Sequence, residues 1–294
     1  MDPDNQPHLS PAQAVAEFSA AVGVGFEVVG PLSGGETGAT EIRSAAGDRR
    51  VLKWEADPLN IAARTEGAQL AARLGAEAGW PVPHQQLVEH DGWLLVAQEF
   101  MAGDPVTGLS ESLVDDLLGL HHARLGLGAT QPGNQWGTDQ IEILVSGGRG
   151  YCLHEPLRQY DHRTRRVVER IESIGGELRP EQLAGDDIVH ADLHPGNLLQ
   201  VDGGLASVVD LDYARTGDAA FDLAFLAVSS LAYPCPGSVR RQLITTGLDA
   251  LDPARRQAYV GNLLLRLLDW PIRKRRTEEI EFWLPKADWL LDGD

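Results

Sequence analysis

Residues 188–212 read IVHADLHPGNLLQVDGGLASVVDLD, and no other stretch narrows the possible folds so far. Two apolar runs flank Asp202-Gly203-Gly204, turn chemistry that closes a β-hairpin, inside a half of the chain that is otherwise helical in its periodicity. With Gly203-Gly204 as a two-residue loop, Val201 pairs with Ala206 and Leu199 with Val208, and the register carried outward sets Asn197 opposite Asp210. Directly opposed residues hold their Cβ atoms about 5 Å apart, so an amide oxygen and a carboxylate would converge at the open end of the ribbon. That pair suits one hard cation, magnesium above all, because phosphates and water complete its shell. Taken singly, Asn197 reads equally well as a turn residue and Asp210 as a strand end. The matched register favours the metal.

Asp192 precedes Asn197 by five residues, on a loop opened by His190 and stiffened by Pro195. In phosphoryl transfer a carboxylate at such a place accepts the proton of the attacking hydroxyl, and catalysis is mainly positioning and electrostatics. His190 and His194 read as scaffolding for the loop backbone rather than as base or metal ligands.

The N-terminal part is built differently. A short helix over 11–22 is followed by strand-like segments at 26–30, 40–45 and 49–55, a helix over 58–78, and two more strands at 84–90 and 93–100 around Asp91-Gly92. Pro58 sits in the first turn of the helix and Gly79 just past its end. The segment AGDP at 102–105 breaks the pattern, so a hinge falls at about 99–104 and divides the chain into lobes 1–101 and 102–294. Beyond it helices are expected over 110–126, 151–174, 219–232, 238–248, 253–270 and 277–290, while the Gly- and Gln-rich stretch 128–150 has no assignable element. The expected class is α+β: a small β-rich lobe with one long helix, then a larger, mostly helical lobe.

The chain has three lysines, and Lys53 lies in the middle of the apolar strand VLKW. A buried ammonium needs an anionic partner. In the following helix Leu59, Ala63, Leu70 and Leu74 form a stripe on which position 66 is Glu66, so a Lys53–Glu66 pair is predicted, with Glu55 as the rival on the strand itself. The remaining lysine donors would meet nucleotide phosphates. Upstream, Ser33-Gly34-Gly35-Glu36-Thr37-Gly38 joins two strands and lets backbone N–H groups approach a phosphate closely.

A formal charge of −18 argues against nucleic acid and anionic membrane surfaces as partners and for a cationic small molecule. No apolar run reaches the roughly 20 residues of a membrane span, and MDPDNQPHLS does not read as a signal peptide. A cytoplasmic protein, monomeric or a weak homodimer, is expected. Cys152 and Cys235, the only cysteines, read as reduced residues buried for their size.

The ordered set of Gly-rich loop, strand Lys53, helix Glu66, hinge, His190-Ala191-Asp192-Leu193-His194-Pro195-Gly196-Asn197 and VVDLD at 208–212 resembles the aminoglycoside phosphotransferase family, over about residues 24–290. The resemblance implies a bilobal protein-kinase-like fold and an ATP- and magnesium-dependent phosphotransferase, GTP being the other donor the motifs admit. It implies Asp192 as catalytic base, Asn197 and Asp210 as metal ligands, and Lys53, held by Glu66, on the phosphates. Ser33, Gly34, Gly35 and Thr37 are implied over the phosphates, and the backbone of Glu99, Phe100 and Met101 on adenine. Ala191 stands where the family often has glycine. Asp218 reads as a helix cap and Asp222 as a brace for the catalytic loop. Only about seven residues separate Asp210 from the next helix, too few for a protein-kinase activation segment, so the acceptor is a small molecule.

For that acceptor, Asp212, Asp269, Glu278 and Glu281 are candidate pocket acids, interleaved late in the chain with Trp270, Phe282 and Trp283. The leading expectation is a cationic antibiotic, an aminoglycoside or a basic cyclic peptide of the capreomycin and viomycin type, with resistance as the outcome. A metabolic kinase of the choline, homoserine or sugar type is the alternative, and a non-catalytic nucleotide-binding module the third.

Overall fold

A computed structural model of the chain describes residues 9–32, 39–128 and 135–293. Contacts group Met1–Val106 with Asn197–Ala214 in one unit and Thr107–Gly196 with Arg215–Asp294 in the other.

In the first unit the alternating segments form an antiparallel sheet of β1 (Phe26–Pro31), β2 (Thr40–Ser44), β3 (Arg49–Glu55), β4 (Gln85–His90) and β5 (Trp93–Glu99), ordered β1-β2-β3-β5-β4. Helix α1 (Pro11–Val22) lays Ala14, Val15 and Phe18 on Phe26, Ile42, Leu52, Leu95 and Ala97 to make the core of this sheet. Helix α2 (Pro58–Ala78) starts at Asp57, whose side chain accepts the Leu59 N–H, and stops at the left-handed Gly79. Its bounds match the sequence prediction.

The hairpin of β8 (Leu198–Val201) and β9 (Gly204–Val208) belongs to this unit, although the sequence divided the chain once, near residue 101. The reason is local hydrogen bonding. Strand β6 (Asp104–Pro105) pairs with Gln200 and Leu199 of β8, and the Pro81 carbonyl accepts both the Val208 N–H at 2.9 Å and the Ser207 hydroxyl at 2.7 Å.

The second unit carries α3 (Glu111–Ala123), α4 (Trp136–Ser146), α5 (His154–Tyr160) and α6 (His162–Glu177), then a ribbon of β7 (Asp187–Val189) with β10 (Arg215–Gly217). After it come α7 (Ala220–Ser229), α8 (Gly237–Ile244), α9 (Pro253–Arg273), α10 (Thr277–Trp283) and α11 (Ala287–Asp292). Two expected helices are broken. Asp161 separates α5 from α6 by capping the latter, accepting the Arg163 and Thr164 N–H groups at 2.8 and 2.9 Å, and a tighter turn at Leu284–Lys286 separates α10 from α11. Helix α4 lies in the stretch that sequence left unassigned; its Trp136 is buried edge-on against Phe221. Among the described residues no helix is long and apolar enough to cross a membrane.

Candidate active site

Each unit holds a polar cluster built from residues of the predicted site. In the first, the hairpin turn is Asp202-Gly203, both residues at positive φ (51° and 83°), so that Val201 pairs with Gly204 and Gln200 with Leu205. A type I′ turn takes Asp-Gly in just these two positions, one residue earlier than the Gly203-Gly204 loop expected. A bulge at Ala206 then shifts the ladder, giving Leu199 opposite Ser207 and Leu198 opposite Val208. Asn197 consequently meets Val209, whose N–H donates to its carbonyl at 2.9 Å, and the direct Asn197–Asp210 register is corrected by one residue. Asp210 itself is left-handed at φ 63°, which turns the chain out of the ladder and leaves its side chain 42 % exposed.

Lys53 is buried, but Glu66 is not its partner. Its ammonium donates to Asp210 Oδ1 at 2.7 Å and to Asp212 Oδ2 at 3.0 Å. Burial alone would pull the lysine pKa down; Asp212 and then Asp210 outweigh it and hold the group above its ordinary value. Glu66 is exposed because the buried face of α2 runs through Arg64, Gly67, Ala68, Ala71 and Leu74, and Leu59, the start of the expected stripe, is 60 % exposed. Glu55 instead accepts the backbone N–H groups of Ala56 and Asp57 and the Asn60 amide.

Asp212, expected from its charge among the acceptor-lining acids, is buried here and taken up by Lys53, Arg64 at 3.1 Å, and the Gln98 amide at 3.3 Å. That removes it from any acceptor pocket. The hinge is also partly engaged. The Glu99 N–H donates to the His84 carbonyl and the Phe100 N–H to that of Arg49, whose guanidinium stacks 3.6 Å above the Phe100 ring. Ser33, Gly34, Gly35 and Thr37 lie outside the described residues.

Among the described residues no group of three or more His, Cys, Asp or Glu side chains forms a closed metal site. An amide and a half-exposed carboxylate are hard oxygen donors, and they fit magnesium when phosphate and water supply the other ligands.

In the second unit, β7 ends at Val189 and delivers the loop HADLHPG. Asp222 of α7, fully buried, braces it: its two oxygens accept the His190 and Ala191 N–H groups at 2.8 and 3.0 Å, while Arg124 binds the same carboxylate. His190 Nδ1 accepts the Asp192 N–H at 3.2 Å and His194 Nδ1 the Gly196 N–H at 3.1 Å, so both histidines serve the loop backbone. Ala191 is forced to φ 66°, a left-handed conformation that costs a residue with a Cβ about 1 kcal/mol.

The Asp192 side chain is 35 % exposed. Arg266 of α9 donates to its Oδ1 at 3.3 Å and to the Ala191 carbonyl at 2.8 Å, and His194 Nε2 lies 3.6 Å from Oδ2. Burial raises the carboxyl pKa, but His194, Arg266 and His190 together hold it below the usual range, so it is ionised at neutral pH. Sequence reasoning missed Arg266, because an arginine on an amphipathic helix reads as solvent-facing.

Asp192 opens onto a cavity of about 500 Å³ with Phe225, Tyr233, Phe282 and Trp283 among its walls and Glu278 and Glu279 at its rim. Of the other acids expected there, Asp269 is buried in a two-pronged pair with Arg273 at 2.8 and 2.9 Å, and Glu281 is bound by Arg163 at 2.6 Å. Neither lines the cavity. The first pair lies within α9, and the second ties α10 to α6.

A model described as the phosphotransferase enzyme family, APH, matches residues 29–260. A homoserine kinase of Gluconacetobacter diazotrophicus is 27% identical over 172 residues, which are 52% of this chain and 50% of the kinase, so the match spans about half the length of that curated relative. Among solved structures, aminoglycoside phosphotransferase APH(4)-Ia superposes with a TM-score of 0.66 at 17% identity, covering 95% of this chain and 98% of that one. A thermostable mutant of it, in ternary complex with ADP and hygromycin B, gives 0.63 at 14% identity over 94% and 97% of the chains. Macrolide 2'-phosphotransferase MphH of Brachybacterium faecium gives 0.54 at 17% identity over 96% and 97%. These likenesses establish the kinase-like α+β fold.

Proposed function

The chain belongs to the phosphotransferase enzyme family, and on that premise we propose that it transfers the terminal phosphoryl group of ATP to a hydroxyl of a cationic small molecule. The observation that carries the reading is Asp192: an ionised carboxylate, fixed by Arg266 on one oxygen, at the wall of a cavity rimmed by two glutamates.

The first unit handles the donor. Lys53 meets the phosphates, and the Met101 N–H takes the adenine edge in place of the engaged N–H groups of Glu99 and Phe100. Asn197 and Asp210 would hold magnesium, which when bound neutralises charge on the β- and γ-phosphates. The second unit handles the acceptor. The acceptor oxygen bonds to the γ-phosphorus, the bond from that phosphorus to the β,γ-bridging oxygen breaks, ADP leaves, and the hydroxyl proton passes to Asp192. Arg266 and the Asp222 brace keep the carboxylate aimed throughout.

Cavity chemistry supports a cation. Glu278 offers negative charge, as does Glu279 from an exposed pair with Arg276, four aromatic walls offer apolar and cation–π surface, and the guanidinium of Arg266 is already occupied by Asp192 and Ala191. An acceptor with its own carboxylate finds less there. We therefore place aminoglycosides and basic cyclic peptides first, with antibiotic resistance as the consequence. The homoserine kinase relative supports the second reading, a metabolic kinase.

The test is turnover by the purified chain with ATP and magnesium over a panel of aminoglycosides, capreomycin, viomycin, macrolides, homoserine and choline, followed by the mass of the phosphorylated product. Turnover of the polycations is expected. Turnover confined to homoserine or choline replaces the first reading with the second, and none with any alcohol overturns both.

A further inference from the structure

The family pattern sets the phosphate-binding lysine against a helix glutamate. In this chain the α2 residue that expectation singles out, Glu66, faces solvent, and the lysine is held from another direction. We propose that Asp212 is the positioning residue of Lys53 for the donor phosphates, held in turn by Arg64 and by the close backbone approach that Gly67 allows. The inference rests on the kinase reading above, since it concerns how that donor site is built.

The geometry is a chain of contacts within the first unit. A Cβ on Gly67 would come within 2.7 Å of the Leu211 carbonyl oxygen and 2.9 Å of that of Asp212, so α2 rests directly on the Asp-Leu-Asp segment, and only glycine permits it. One turn earlier, Arg64 reaches Asp212 Oδ2 at 3.1 Å. The same oxygen accepts from Lys53 at 3.0 Å, while Gln98 donates to Oδ1. Asp212 is thus buried with two hydrogen-bond donors, Lys53 and Gln98, and the Arg64 guanidinium in ion-pair range, whereas Asp210, the lysine's other partner, stays 42 % exposed. The two aspartates divide the labour: Asp210 keeps a solvent-facing carboxylate for other ligands, and Asp212 has none to give. When Lys53 turns toward a phosphate, the buried Asp212 remains as its counterion; an ammonium with no buried anion beside it would be drawn off or neutralised.

The proposal separates from the wider reading by kinetics with ATP and the chosen acceptor varied independently, and by calorimetric binding of a nonhydrolysable ATP analogue. Asp212→Asn, which keeps shape and removes charge, is expected to raise the KM for ATP and weaken analogue binding about 10- to 100-fold, with the acceptor KM within two-fold. Asp212→Glu restores part of that loss, and Glu66→Gln changes neither constant. Lys53→Met should be as damaging alone as combined with Asp212→Asn, because both act through one contact. If Asp212→Asn does not fold, Arg64→Gln serves, with an expected three- to ten-fold rise in the ATP KM. Normal ATP binding in Asp212→Asn or Arg64→Gln, or a loss in Glu66→Gln, overturns the role of Asp212. Normal ATP binding in Lys53→Met overturns the donor site itself.

Discussion

Lys53 and Arg266 each sit on a carboxylate, one in each unit, and the two pairs are finished differently. Lys53 in the first unit faces Asp210 and Asp212, with Arg64 completing the charge balance. Arg266 in the second unit pairs with Asp192 and spreads its other donors over the Ala191 carbonyl and the Asn262 amide oxygen. Asp212 in the first cluster is enclosed, while Asp192 in the second, its side chain 35 % exposed, lines a cavity. An anion enclosed by donors orients its neighbours, and one that lines a cavity is within reach of the proton of a hydroxyl bound there.

The most severe break of this contrast is Asp192→Asn. Turnover should fall about 10²- to 10⁴-fold, the usual weight of a general base, with nucleotide binding unchanged. Equal turnover in a coupled ADP-release assay would mean that the open cluster is as structural as the closed one. Next in size is Asp222→Ala, which strands Arg124 in a site where both side chains are fully buried. Breaking such a pair costs about 3–5 kcal/mol, read in denaturant unfolding, and a loss under 1 kcal/mol would show that the brace is not holding the loop.

Arg266→Gln sharpens the comparison. Arg266 favours the ionised form of Asp192, so its loss raises the carboxyl pKa and the base becomes protonated at higher pH. The acidic limb of the pH–rate profile should move to higher pH, with activity lost first at the acidic end of the profile and least at pH 8. An unmoved limb would reduce Arg266 to a strut. The smallest effect is expected for Ala191→Gly. Relief of the left-handed strain, set against the added freedom of the unfolded chain, should stabilise the protein by up to about 1 kcal/mol in thermal melts. Destabilisation would mean that the Ala191 methyl contributes more than the strain removes.

Much of the fold was legible because its signals are local. Pro58 and Gly79 mark the ends of α2, and Asp91-Gly92 marks the β4–β5 turn, each through backbone preferences that need no tertiary context. That Lys53 would be buried with an acid beside it was also legible, since an ammonium in an apolar strand has few other fates. Its partner was not. Asp212 and Arg64 converge from elements 148 positions apart, and the face of α2 is set by a glycine contact that helical periodicity cannot register. The hairpin register slipped because Asp-Gly and Gly-Gly both make acceptable turns and the Ala206 bulge leaves no mark in an apolar run. Helix α4 was hidden by its glycine and polar residues, although its buried face fits against α6 and α9.

The double acceptance by the Pro81 carbonyl has a bearing on dissection. It belongs to a unit whose polypeptide departs after Val106 and returns only at Asn197, so the piece that carries Lys53 and the piece that carries its counterions are separated by ninety residues of other architecture. A gene cut at residue 106 would therefore yield a sheet with a naked ammonium in its interior and two unanswered hydrogen-bonding positions, not a miniature nucleotide binder. Any attempt to transplant this half must carry both pieces together, spliced by a linker where the helical half once stood.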